Sequence, residues 1–392
     1  MSGPLVGVRV LDIGTMIAGP FGATVLADFG AEVFKVELPG RGDALRDVGA
    51  RHQGQALGWL VDGRNKKSIT LDLRRPEGRD LLLRLIPLVD VAFENFTPGT
   101  LDRWGLDEAT LRAANPRLIL IRVSGYGQEG PYSQRPGYDR VAMAYGGVTY
   151  LTGTPDGPPV RPGVSAADYT AGLYGAVSAL MALYHRDALQ GQPQTVDISL
   201  FEGMFRMTRD LIAAYDATGK VRQRSGNFNP NVAPGEAFET RDGRWLAVVC
   251  AGQNTWESLA RGIDRPDLIT DPRFVTNQDR VANADALHAL VREWFAEHDA
   301  AEVEARLSDA GVPVSAFYSA ADIVVDEQYR ARGAIAEVPH PALGTVRMPS
   351  IGPRFSQTPG EIRHAGPDLG EHNDEVYQGL LGLDAADLAR LK

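Results

Sequence analysis

The chain is 392 residues long, 44% hydrophobic and 23% charged, with a formal net charge of -10 at pH 7. That length exceeds one ordinary hydrophobic core and predicts two or three domains of a globular protein, not a disordered or fibrous one. The acidic balance argues against a nucleic-acid-binding surface, so any anionic ligand must find a local cationic patch.

The opening stretch MSGPLVGVRVLDIG lacks a basic segment followed by an apolar one, so no export signal is expected. It contains the first predicted strand, GVRVLDIG, followed by a small-residue helix, AGPFGATVLADFG, and a second strand, AEVFKVEL. The βαβ pattern recurs with the strand SITLDL, the helix RPEGRDLLLRLIPL, the strand DVAFENF, a helix around LDEATLRAAN and the strand RLILIRVSGYG. Alternation of this kind predicts a Rossmann-like α/β domain with a parallel sheet. A Gly/Pro-punctuated segment follows, and then two helices, the apolar one after Asp168 and another over SLFEGMFRMTRDLIAAY. The apolar run Ala171–Tyr184 is too short for a membrane span, and no membrane helix is expected.

Residues 219–243 are polar and rich in Gly and Pro, as in a linker or lid. The expected organisation is a large α/β domain over 1–218, this linker, a smaller α+β domain over 244–325, and a C-terminal segment, 326–392, that returns to the large domain. Cys250 is the single cysteine, which excludes an internal disulfide and fits a reducing, cytoplasmic setting.

Chemistry-bearing motifs are few. Gly14, Gly19 and Gly22 do not form G-x-G-x-x-G and no GK[ST] follows, which disfavours nicotinamide chemistry and excludes a P-loop. The seven histidines have no metal-ligand spacing, so no metal is expected, and no G-x-S-x-G occurs. A basic cluster, Arg64, Lys66 and Lys67 followed by Arg74 and Arg75, offers a local site for phosphate groups or a solvated face. Among the carboxylates, Asp139 lies in the loop RPGYDR, and Asp168 lies among small residues in SAADYTAG. Ser165 and Asp168 fit the S-x-x-[DE] capping box, so Asp168 is readable as a helix cap or as a nucleophile.

Six stretches, in order, carry a resemblance: VLDIGTMIAGPFGATVLADFGAEVFKVELPGRGD, NKKSITLDLRRPEGRDLL, DVAFENFTPGTLDRWGL, NPRLILIRVSGYGQEGPYSQRPGYD, VSAADYTAGLYGAVSALMALYHRDALQGQ and PDLGEHNDEVY. Over nearly its whole length the chain resembles the class III CoA-transferase (CaiB/BaiF) family, which also contains the α-methylacyl-CoA racemases. The resemblance implies that Asp168 is the catalytic aspartate, which would attack an acyl-CoA thioester and carry CoA to a small carboxylic acid through aspartyl intermediates. It implies CoA contacts at Leu71, Asp72, Leu73, Arg74, Asn95, Phe96 and Arg103, with Lys66, Arg135 and Tyr138 as further contacts, acyl-CoA as substrate, no permanently bound cofactor, and an interlocked homodimer.

The chain departs from its relatives in three places. Ile17 stands where some formyl-CoA transferases have glutamine, which argues against a formyl or oxalyl substrate. NFNPNVAPG replaces a glycine-rich lid. Tyr138 replaces the histidine of the racemases' G-H-D loop, and a phenol is a poor base at neutral pH. A CoA-transferase is therefore expected, ahead of a 2-methylacyl-CoA racemase or a CoA-binding protein in which Asp168 only caps a helix.

Overall fold

A computed structural model describes residues 3–384. The described residues divide into two compact units, one of 3–149, 161–214 and 328–384, the other of 150–160 and 215–327.

The first unit is built on β1 (Arg9–Asp12), β2 (Glu32–Glu37), β3 (Lys66–Thr70), β4 (Val91–Glu94), β5 (Ile119–Ser124) and β6 (Thr195–Ser199). They pair in parallel in the order β3-β2-β1-β4-β5-β6. This is the doubly wound order, and the direction of winding reverses between β1 and β4, where a crevice opens beyond the strands' C-terminal ends. The parallel α/β architecture agrees with the sequence pattern, although β6 is not among the elements expected from it.

Alternation along the strands sorts side chains onto two faces. Val10, Val33, Ile119, Ile121 and Val123 pack under α1 (Ala18–Asp28) and α5 (Ala166–Asp187). Leu11, Phe34 and Leu120 pack on the other face under α2 (Pro76–Leu85) and α3 (Glu108–Ala114), where Val376 and Tyr377 complete the core. Helices α1 and α5 meet through backbone: a Cβ on Gly22 would lie 2.8 Å from the Gly172 carbonyl oxygen, and one on Gly172 would lie 2.8 Å from that of Ala18. The alanines and glycines of the two helices are what permit this approach.

Further helices of this part of the chain include α4 (Asp139–Tyr145), α6 (Leu200–Met207) and α7 (Leu211–Thr218). The single helix expected over α6 and α7 breaks at Arg209, which has φ 60°. The Thr208 hydroxyl donates to the Phe205 carbonyl at 2.7 Å and closes the first of them.

The second unit holds an antiparallel sheet of β7 (Gly235–Glu239), β8 (Trp245–Val249) and β9 (Val314–Ala316), with β8 central. It is covered by α8 (Gln253–Gly262), α9 (Ala284–Ala296) and α10 (Ala300–Asp309) around Phe238, Trp256 and Phe295. Residues 219–243, read from sequence as a linker, contribute β7. The C-terminal hairpin β10 (Ile335–His340) and β11 (Gly344–Pro349) belongs to the first unit and packs Val338, Val346 and Met348 around Trp59.

Candidate functional site

A cavity of about 240 Å³ occupies the crevice between β1 and β4. Its wall comes from the turns that follow three strands: Thr15, Met16, Ile17 and Ala18 after β1, Asn95, Phe96 and Thr97 after β4, Ser124 and Gly125 at the end of β5. Pro136, Gly137 and Tyr138 close the rim, and Asp168 enters from the first turn of α5. Asp168 and Tyr138 are the only titratable side chains in this wall.

The turn after β1 is held from below by buried charge. The Lys35 ammonium donates to the Gly14 carbonyl and sits 2.9 Å from Asp43 and 3.5 Å from Asp12, with no solvent exposure. Asp43 accepts the N–H of Met16 at 3.0 Å and of Leu45 at 2.8 Å. Asp12 accepts the N–H of Gly14 at 3.1 Å, and Asn95 grips Thr15 twice, accepting its N–H and donating to its carbonyl, both at 2.7 Å. Under these restraints Met16 adopts φ 63°, a conformation L residues rarely take. The start of α1 carries no side-chain cap, so its first turn faces the cavity with backbone donors and the positive end of the helix dipole.

The Ser165–Asp168 capping box expected from sequence does not form: Ser165 makes no side-chain cap at α5. Asp139 does that work from α4, accepting the N–H of Ala167 at 2.9 Å. Nor does the helix start hold Asp168 firmly ionised. Burial, with the Asp139 carboxylate adding repulsion, pushes its pKa up to about 7. The neighbouring Tyr169 donates to Asp62 at 2.9 Å and packs edge-on against Phe21, which locks this turn against α1.

The other expected contacts divide. Asn95, Phe96 and Tyr138 share the cavity with Asp168. Leu71–Arg74 follow β3 at the same edge of the sheet, but Leu71 and Leu73 are buried in the core, and Arg74 makes a bidentate pair with Asp72 at 2.7 Å. Arg103 and Arg135 are exposed, the latter stacked 3.5 Å over the Tyr132 ring. Neither has a carboxylate partner among the described residues.

Lys66 is a correction. It is the first residue of β3, its side chain is 1% exposed, and its ammonium is spent on Asp12 at 2.9 Å and the Pro20 carbonyl at 2.7 Å. Arg64 is buried on Asp28 at 2.6 Å and Lys67 is paired with Glu32 and Glu375, both at 2.6 Å. Arg64, Lys66 and Lys67 are thus committed to ion pairs within the fold, whereas Arg74 and Arg75 of the same basic cluster stay exposed. Among the described residues no cluster of His, Cys, Asp and Glu is placed to hold a metal ion, and no helix is long and apolar enough to cross a membrane.

Lys35 and Asp43 were not singled out from the sequence. The available signal was a lysine inside the strand EVFKVEL, where both faces of a central strand are buried.

Comparison with known proteins narrows the chemistry. The chain is 45% identical, over 99% of its length and 97% of the relative's, to succinyl-CoA–D-citramalate CoA-transferase of Chloroflexus aurantiacus. It is 34% identical to human succinyl-CoA:glutarate CoA-transferase, over 99% of the chain and 88% of that protein. A crystal structure of a CaiB/BaiF family protein from Brucella suis superposes with a TM-score of 0.87 at 36% identity, covering 97% of this chain and 100% of that one. The model of CoA-transferase family III matches residues 5–373, and the chain belongs to that family of enzymes, the class III CoA-transferases.

Proposed function

We infer that the enzyme moves CoA from a succinyl-CoA-type donor to a dicarboxylic or hydroxydicarboxylic acid through covalent intermediates on Asp168. The observation that carries this reading is the composition of the cavity wall: it offers one carboxylate and no histidine, lysine or cysteine. The wall holds no histidine or lysine to activate the hydroxyls of Thr15, Thr97 and Ser124, whereas an ionised carboxylate attacks without a base. The acyl class follows the relatives, whose names pair succinyl-CoA with citramalate, malate or glutarate.

An Asp168 oxygen attacks the thioester carbonyl, the C–S bond breaks, and the electron pair leaves on sulfur as CoA thiolate. The thiolate then attacks the aspartyl carbonyl of the mixed anhydride, releasing the donor acid and leaving an aspartyl-CoA thioester. The acceptor carboxylate repeats the two steps in reverse. Every intermediate stays activated, so the thioester's free energy is conserved and neither ATP nor metal is needed. The uncapped start of α1, beside the cavity, suits stabilisation of the oxyanion of each tetrahedral adduct. Arg103 and Arg135, exposed and without carboxylate partners among the described residues, suit CoA phosphates or the acceptor's second carboxylate, and Leu71 and Leu73 have only backbone groups to offer.

A racemase needs a second base on the opposite face of the α-carbon, and Tyr138, 72% exposed at the rim, is the sole remaining titratable group. A homodimer is supported by α5, whose outer face leaves Leu173, Val177, Leu180, Met181 and Tyr184 exposed at helical spacing. The lone buried thiol, Cys250, fits the cytoplasm.

The test is to incubate the enzyme with succinyl-CoA, trap with hydroxylamine and map the product by mass spectrometry. The expected result is a hydroxamate on Asp168; trapping elsewhere, or none, overturns the covalent reading. Exchange of the α-proton with deuterated water in the absence of an acceptor acid would support the racemase instead.

A further inference from the structure

We propose that Asp139 is a positioning residue for the nucleophile: its carboxylate caps the helix that carries Asp168 and sets a second negative charge beside it that is relieved as Asp168 is acylated. The inference rests on the reading of Asp168 as the attacking group.

Asp139 is 9% exposed, in the first turn of α4, and is close enough to Asp168 for their charges to interact. Its carboxylate bonds between elements, accepting the N–H of Ala167, the residue immediately before Asp168. A capping role alone does not explain it. Ser165 stands at the N-cap, where a serine hydroxyl ordinarily does this work without charge, yet its side chain is not used. The chain instead buries a second carboxylate beside the one of the cavity. A buried like charge raises the energy of an ionised neighbour and costs folding stability.

That cost has a use in the first step. When the Asp168 oxygen bonds to the acyl carbon and the C–S bond breaks, the negative charge passes from Asp168 to the CoA sulfur. Asp168 becomes a neutral anhydride, and the repulsion from Asp139 disappears. The reactant is raised relative to the acylated state, and the attacking carboxylate is more basic than one on a free surface. Burial and Asp139 act in the same direction on Asp168, and among the described residues no cation is placed against it to cancel them: Tyr169 is turned to Asp62, and the wall residues contributed by the other turns are uncharged.

Asp139→Asn separates charge from geometry, because the amide oxygen still accepts the Ala167 N–H. Its acid limb in the pH dependence of kcat/KM is expected to move about one unit lower, and its plateau rate above pH 8 to fall about tenfold, the equivalent of one unit of pKa. The melting temperature at pH 8 is expected to be equal to or above that of the parent. Hydroxylamine trapping on Asp168 as a function of pH provides the second reading and should show the same displacement. An acid limb and trapping profile that coincide with the parent's overturn the proposal and leave Asp139 a cap. If Asp139→Asn folds poorly, Asp139→Glu, which keeps the charge, supplies the comparison: a parent-like trapping profile at reduced stability supports the charge, and a profile shifted downward overturns it. Failure to trap Asp168 in the parent enzyme would instead refute the covalent reading itself.

Discussion

The ammonium of Lys66 lies 2.9 Å from Asp12, and neither side chain has more than 1% of its surface exposed. A buried pair of this kind is costly to break, because the partner is left charged without solvent. Lys66→Met is therefore expected to destabilise the enzyme by about 3–5 kcal/mol, read by urea denaturation. Folded Lys66→Met should retain its KM for acyl-CoA within about twofold, an energy of the order of RT. A KM increase of tenfold or more without loss of stability would restore Lys66 as a phosphate ligand.

Asp168 predicts a pH dependence of stability with a definite sign. Its pKa in the folded protein is pushed up to about 7, above the ordinary value near 4, so the folded state holds the proton that the unfolded state releases. Wild-type stability attributable to this group is full below about pH 4 and is lost as pH rises through about 7. Asp168→Asn has no such proton to lose. It should match wild type near pH 4 and exceed it by roughly 1–3 kcal/mol at pH 8, while transfer activity disappears. Parallel stability curves for the two proteins between pH 4 and 8 would show that the site does not hold Asp168 in this state.

These two residues mark where the sequence was readable. Period-2 and period-3.6 patterns locate β1, α1 and β2, because those elements are decided by local alternation and glycine punctuation. Asp168 reads from its neighbours alone as either a cap or a nucleophile, and the six ordered stretches of the family resemblance, rather than local spacing, favour the nucleophile. The partner of its helix start is set by the fold: Ser165 is two residues from Ala167 in sequence, but Asp139, 28 residues from it, makes the hydrogen bond. The direction of Lys66 was equally hidden, since a run of cations reads the same on a surface as inside a strand that meets Asp12 across the sheet. Long-range pairing of charges is a property of the fold, and the spacing of residues along the chain does not encode it directly.

The contact between α1 and α5 predicts a sensitivity to single methyl groups. Gly22→Ala would set its Cβ 2.8 Å from both the Gly172 carbonyl oxygen and a Phe93 ring carbon. Because the obstruction on one side is backbone, the helices must separate, at about 1–3 kcal/mol. Asp168 lies one turn before Gly172, so the separation should also lower kcat. Gly163→Ala, where nothing lies within 4 Å of the added atom, is the control and should be neutral. Equal melting temperatures for the two variants would contradict the close backbone approach.

Asn95 tests whether the turn after β1 contributes only surface or also geometry. Its amide accepts the Thr15 N–H and donates to the Thr15 carbonyl, which fixes the residue next to Met16, whose φ is 63°. Asn95→Ala releases both groups at an expected cost of about 1–3 kcal/mol. Asn95→Asp is the sharper substitution: one oxygen still accepts the N–H, but the other meets the Thr15 carbonyl, and a new anion enters the wall that Asp168 shares. If the turn only binds CoA, both variants should raise KM and leave kcat alone. If it holds the oxyanion donors at the start of α1 against Asp168, kcat should fall in both, by about tenfold or more for the loss of one donor's alignment. The fall should be larger in Asn95→Asp, because repulsion from the new carboxylate adds to the misplacement. Steady-state kinetics with saturating acceptor acid distinguishes the two, since displacement of the turn reaches the chemical step only if its backbone takes part in it.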